Sequence, residues 1–206
     1  MRDGRRILDA DAHVVEPGEV FGDAQRVGPE LMDLPPTTPF EAAGDTSKLA
    51  DFFESGCAAD AYLRCMDTEG IDAVVLYPSI GLYAPYLPEL DPKGSAAACR
   101  AYNDWIAGYC ATDPSRLAGV GIAPLADVTL AVDAARDTAE LGLPGVMVRP
   151  NHVYGRSLGA LDYDPLYDVL EETGLVLAVH EGLGVRGAPT KPAIHSVSWS
   201  RSTRAV

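Results

Sequence analysis

Basic residues, histidines and cysteines are scarce in this chain, and each shortage narrows its function. Only 16 lysines and arginines stand against 30 acidic residues in 206, a formal net charge of −14. Phosphate backbones and anionic lipid headgroups repel such a chain, so neither nucleic acid nor a membrane is expected as a partner. No apolar run approaches the ~20 residues of a membrane span. The basic stretch Arg2 to Arg6 leads into no apolar leader core before Asp9, and a cytoplasmic location is expected. Four cysteines, Cys57, Cys65, Cys99 and Cys110, lack paired metal-site spacing. They are expected as reduced core residues in helices. A P-loop and a G-x-S-x-G nucleophile elbow are both missing.

Acids are also missing from one end. All 30 lie at or before Glu181, and the last 25 residues hold four basic groups, Arg186, Lys191, Arg201 and Arg204. Pro189 and Pro192 interrupt that tail, which shows no apolar period. Two parts are expected: residues 1–183 as the folded domain, and 184–206 as an atypical, disordered tail. Gly182-Leu183-Gly184-Val185-Arg186-Gly187 matches a dinucleotide fingerprint in form only. Prolines follow where a helix should open, and no later acid could hold a ribose.

What is present is a regular alternation. Ile7–Asp11 reads as a first strand, and Ala73–Tyr77, Leu117–Ala123, Gly145–Val148 and Leu175–Val179 as four more. They are continuous apolar runs, as strands covered on both faces are. Between them the apolar period becomes helical. Ala61, Tyr62, Cys65 and Met66 share one face up to the stop at Gly70. A second helix, from about Gly94 to Cys110, repeats Tyr102, Trp105, Ile106 and Tyr109; these aromatics read as core rather than as a ligand cage. Asp127 caps a third helix that runs to Leu141. Asp164, with Pro165 behind it, caps a fourth ending at Gly174. The proline-rich Phe21–Asp45 stretch reads as a long loop, and a helix is expected from about Leu49. The β-α alternation without hairpin signals implies an α/β fold with a parallel sheet. It fits the first five units of a (β/α)8 TIM-type barrel, or a five-stranded doubly wound sheet. Both place functional residues at the C-terminal ends of the strands.

The polar chemistry gathers at those ends. In Asp9-Ala10-Asp11-Ala12-His13, alternate residues point to one side of a strand, so Asp9, Asp11 and His13 are expected together. Carboxylate and imidazole ligands suit zinc, manganese or iron rather than calcium. His180 and Glu181 follow the fifth strand, and Arg149, Asn151 and His152 follow the fourth. A histidine at a strand end is ordinarily structural, hydrogen-bonded in a polar turn. Two beside an aspartate, in a chain with four histidines, favour a metal site. Asp11, His13 and His180 are the expected ligands, with room left for water or substrate. Arg149 could bind a substrate carboxylate bidentately or form a salt bridge across the barrel mouth.

These stretches together resemble the amidohydrolase-related family, in its aminocarboxymuconate-semialdehyde, resorcylate and carboxyvanillate decarboxylase branch. The resemblance rests on Asp9–Pro17, Glu69–Asp72, Tyr102–Trp105, Gly145–Asn151 and Val179–Gly182. It implies a metal-dependent (β/α)8 barrel acting on a small carboxylated molecule, often aromatic. Asp11 and His13 then match the first-strand metal pair and His180 the fifth-strand ligand, for zinc or manganese. Arg149, Asn151 and His152 become substrate-binding candidates, and Glu16 and Glu181 accessory candidates. The resemblance also implies three further strands with a later histidine and a final aspartate. The chain is therefore expected to be truncated, which weighs against turnover, and to self-associate. The leading expectation is a carboxy-lyase for a small carboxylated aromatic acid. The alternatives are a metal-dependent hydrolase of the same superfamily and a non-catalytic α/β binding module.

Overall fold

A computed structural model describes residues 4–17, 19–21, 52, 54–87, 90–150 and 155–180. The expected long loop after Phe21, the helix start near Leu49 and the acid-free tail lie outside the described residues. In chain order the elements are β1 Leu8–His13, α1 Ala59–Glu69, β2 Ala73–Tyr77, α2 Pro92–Cys110, β3 Leu117–Gly119, β4 Gly121–Ile122, α3 Val128–Glu140, β5 Gly145–Val148, α4 Asp164–Thr173 and β6 Val176–Val179. No described helix is long and apolar enough to cross a membrane.

The strand order decides between the two architectures. β1 pairs β2, β2 pairs β3, β4 pairs β5 and β5 pairs β6, all parallel. Neighbours in space are neighbours in sequence. A doubly wound sheet reverses direction part-way. Consecutive order is that of adjacent units in a (β/α)8 barrel. The doubly wound alternative is therefore set aside.

Leu117–Ala123, expected as one strand, is two. Leu117–Gly119 pairs with β2, and the Val120 N–H still bonds the Leu76 carbonyl at 3.0 Å. Gly121 and Ile122 then pair with Val146 and Met147 of β5. The chain turns a corner at Val120, because helices press on the backbone from either side of it. A Cβ on Gly119 would sit 2.6 Å from Ile106 Cγ1, and one on Gly121 would sit 2.8 Å from Thr138 Cγ2. Asn103 of α2 pins the corner. Its Nδ2 donates to the Ile122 carbonyl at 3.0 Å, and its Oδ1 accepts from the Ile122 N–H at 2.8 Å.

Two apolar clusters cover the strands. Val74, Leu76, Leu117, Ile122 and Met147 pack with Cys99, Tyr102 and Ile106 of α2. Val146 and Val148 pack with Ala131 and Ala135 of α3 and Leu166, Val169 and Leu170 of α4. Burial of each large side chain contributes about 1.5–3 kcal/mol. The helix starts follow their caps. Asp91 accepts from the Gly94 N–H at 2.7 Å, which starts α2 at Pro92, two residues before the expected Gly94. Asp127 accepts from the N–H groups of Thr129 and Leu130, as expected. Asp164 is the first helical residue rather than a cap, because the preceding 3-10 turn Leu161–Tyr163 runs directly into α4. All four cysteines are free. Cys57 lies outside a helix, with a positive φ of 61° after Gly56.

Candidate metal centre at the strand ends

Asp11 and His13 stand on the last three residues of β1, where His13 is opposite Tyr77 of β2. His180 directly follows β6, and its N–H bonds the Val148 carbonyl at 3.1 Å. Three strand positions separate β1 from β6 within the ribbon, so a flat sheet would hold them about 19 Å apart at ~4.8 Å per spacing. In the structure one ligand atom each from Asp11, His13 and His180 lies within 4.8 Å of the others. Curvature of the sheet, built in at the Val120 corner, brings them together.

The local geometry suits a cation. Asp11 Oδ1 is 3.2 Å from His180 Nε2. The His13 and His180 rings meet edge to face, 4.9 Å apart and at 85°. His13 Nδ1 lies 2.9 Å from the Pro78 carbonyl. A carbonyl only accepts, so Nδ1 carries the proton and Nε2 keeps its lone pair, the tautomer a metal ligand needs. Tyr77 flanks both imidazoles, with ring centroids 5.0 Å from His180 and 6.1 Å from His13. Asp11 is largely exposed and His180 mostly covered. A carboxylate and two imidazoles converging on one point, with one side open, form a donor set that fits zinc or manganese.

Asp9 does not join them. The register gains a residue between Asp9 and Ala12, a β-bulge that breaks the alternation on which the grouping of Asp9 with Asp11 relied. The Asp9 carboxylate turns back to accept from the Asp11 N–H at 3.0 Å. Asp9 also bears on Tyr62 of α1. Burial first, and then the Asp9 charge, push that phenol up to about 12.

Arg149 stacks on two tyrosines. It is 3% exposed, and its guanidinium lies over the rings of Tyr83 and Tyr86, 5.6 and 5.7 Å from their centroids. Both tyrosines belong to the loop after β2, and Tyr86 is tied down by donating to the Ala123 carbonyl at 3.1 Å. Such stacking contributes roughly 0.5–2 kcal/mol. The sequence signal was the aromatic pair in Tyr83-Ala84-Pro85-Tyr86 beyond a strand end, which composition alone does not connect to Arg149.

Glu16 stands apart from the three-residue cluster. It is 3% exposed, and its carboxylate accepts from the N–H groups of Ser79, Ile80 and Gly81 at 3.1, 3.0 and 2.9 Å. Burial pushes the carboxyl above the usual carboxylate range, against the pull of these N–H groups. Asn151, His152 and Glu181 lie outside the described residues. The aromatics of α2 are core, as expected: Tyr102 is fully buried, and Trp105 packs 6.0 Å from it and 5.2 Å from Tyr109.

The family model described as Amidohydrolase matches residues 9–197. The chain belongs to the amidohydrolase family. The match runs beyond residue 183, the expected end of the folded domain. The decarboxylase orsB of Emericella nidulans is 37% identical over 89 residues, 42% of this chain and 27% of that protein. The 5-carboxyvanillate decarboxylase of Novosphingobium aromaticivorans, solved with manganese and a nitrobenzoic acid, superposes with a TM-score of 0.65 at 21% identity. That match covers 86% of this chain and 51% of the other. A dihydroxybenzoic acid decarboxylase of Polaromonas, solved with manganese and 2-nitroresorcinol, gives 0.57 at 22%, covering 86% and 50%. The amidohydrolase chain thus spans about half the length of these solved relatives, and the likeness to them establishes the partial TIM-type barrel.

Proposed function

We propose that this amidohydrolase-family chain is the metal-holding part of a decarboxylase for small carboxylated aromatic acids. The observation that carries the reading is the meeting of Asp11, His13 and His180 within 4.8 Å at the strand ends. Manganese in both solved relatives, with a nitrobenzoic acid in one of them, supports it. Asp11, His13 and His180 would hold one divalent cation, zinc or manganese. Such a cation supplies Lewis acidity toward a substrate carboxylate and an adjacent oxygen. The residues themselves do the rest. His13 keeps its proton on Nδ1 against Pro78, which leaves Nε2 for the cation. Tyr77 walls the two imidazoles. Arg149 is steadied by stacking on Tyr83 and Tyr86 and is kept as a substrate-binding candidate. Asn151 and His152 are substrate-binding candidates beside it, and Glu181 an accessory one.

Calorimetric titration of manganese and of zinc into the purified chain tests the site. One ion per chain is expected, with loss of that ion in His13→Ala; a chain that stays metal-free after both incubations overturns the reading. The metal-loaded chain is then offered a dihydroxybenzoate, a 5-carboxyvanillate and an aryl ester. Release of carbon dioxide from either acid supports decarboxylation. Cleavage of the ester alone transfers the assignment to hydrolysis.

A further inference from the structure

His13 and Glu16 lie three residues apart on the segment leaving β1, and both reach the same turn. The segment is fixed alongside β2, since the Val14 N–H bonds the Tyr77 carbonyl at 3.0 Å and Val14 is fully buried. The turn is Pro78-Ser79-Ile80-Gly81. His13 Nδ1 donates to the carbonyl of its first residue. The Glu16 carboxylate takes the N–H groups of the other three. Successive N–H groups converging on one anion form a backbone nest. Here the anion is a buried side chain of the same protein, so the nest is filled from within.

The two contacts are mechanically linked. Without the carboxylate, three N–H groups, that of Gly81 buried and those of Ser79 and Ile80 partly so, face one another with nothing in the protein to accept from them, and the turn opens. Its first carbonyl then leaves the line of His13 Nδ1. The fit is tight from the turn's side as well. A Cβ on Gly81 would lie 2.8 Å from Pro78 Cβ and 3.3 Å from Glu16 Oε1. Phe21 closes the remaining side, 3.3 Å from the same point.

We infer that Glu16 is a positioning residue for His13. Through the Pro78–Gly81 turn it sets the tautomer and aim of the imidazole that meets Asp11 and His180. This deepens the metal-site reading. The turn is the structural feature that makes a buried glutamate, remote from the three-residue cluster, part of that site's construction. Partners of this kind, which orient a ligand by holding its other nitrogen, alter metal affinity by about 10–100-fold when removed.

Glu16→Gln is the main test. An amide offers one acceptor oxygen and turns an NH2 donor toward the remaining N–H groups, so the Ile80 or the Gly81 bond is lost. Gly81→Ala disturbs the same turn from its other side and keeps Glu16. Val169→Ala in α4 serves as a control that lowers stability away from the turn. Nitrogen-15 NMR of the metal-free chain, about two units above the ordinary imidazole pKa of ~6.5, reads the His13 tautomer directly. Wild type is expected to hold the proton on Nδ1. Glu16→Gln and Gly81→Ala are expected to shift it toward Nε2 and to weaken manganese binding about 10–100-fold. Val169→Ala should lower the melting temperature and change neither. If Glu16→Gln behaves like Val169→Ala, with the tautomer and affinity of wild type, the inference is overturned. If wild type binds no metal, the metal reading fails. The tautomer comparison still decides the role of Glu16.

Discussion

Replacing Asn103 should be more costly than its place on a helix implies. The side chain is 2% exposed and makes three hydrogen bonds: two with the backbone of Ile122 and one at 3.2 Å to Thr138 Oγ1. Thr138 keeps its bond to the Ala134 carbonyl without Asn103. Ile122 loses its bonds to the amide on both sides, at the two-residue strand where the sheet turns. A buried backbone group left unsatisfied costs about 1–3 kcal/mol. Asn103→Ala is therefore expected to destabilise by roughly 2–4 kcal/mol, cavity included. Asn103→Leu separates the causes, because it restores volume and none of the bonds. If hydrogen bonding to Ile122 holds the corner, Leu is no better than Ala. Urea unfolding at constant slope would show midpoints lowered by about 1–2 M for both variants. A leucine variant within ~0.5 kcal/mol of wild type would refute the reasoning and leave packing as the whole of the effect.

Gly119→Ala should cost about 1–3 kcal/mol, because its Cβ would meet Ile106 Cγ1 at 2.6 Å and Cys110 Sγ at 2.9 Å; a melt equal to wild type would count against the corner's tight packing. Tyr62, raised to about 12, favours the folded state while neutral, so its contribution is present below an unfolded pKa of ~10 and disappears as pH rises through 12. Tyrosinate absorbance should then lag in this chain until it unfolds in alkali, and a full tyrosine complement titrating near pH ~10 in the folded state would contradict this. The described edge strands β1 and β6 expose Leu8 at 62% and Val176 at 64%. Concentration-dependent self-association is expected by sedimentation, weakened by Val176→Lys; a monomer at every concentration would rule it out.

Local chemistry determined much of this protein along the sequence alone. Apolar runs after Gly70, Gly142 and Gly174 announced strands, and Asp127 and the Gly stops bounded helices, because caps and periodicity act within a few residues. The placement of Asp11, His13 and His180 directly at strand ends was equally legible, since every strand of a parallel sheet presents the same end. Three things waited for the tertiary structure. Strand order separated a barrel from a doubly wound sheet, and order is a property of pairing between distant segments. The bulge that removes Asp9 from the cluster is a register shift, visible only against β2. Arg149 stacked on two tyrosines and Glu16 inside a turn are buried charges that meet residues more than 60 positions away. A sequence shows that such charges exist; only packing shows what neutralises the cost of burying them.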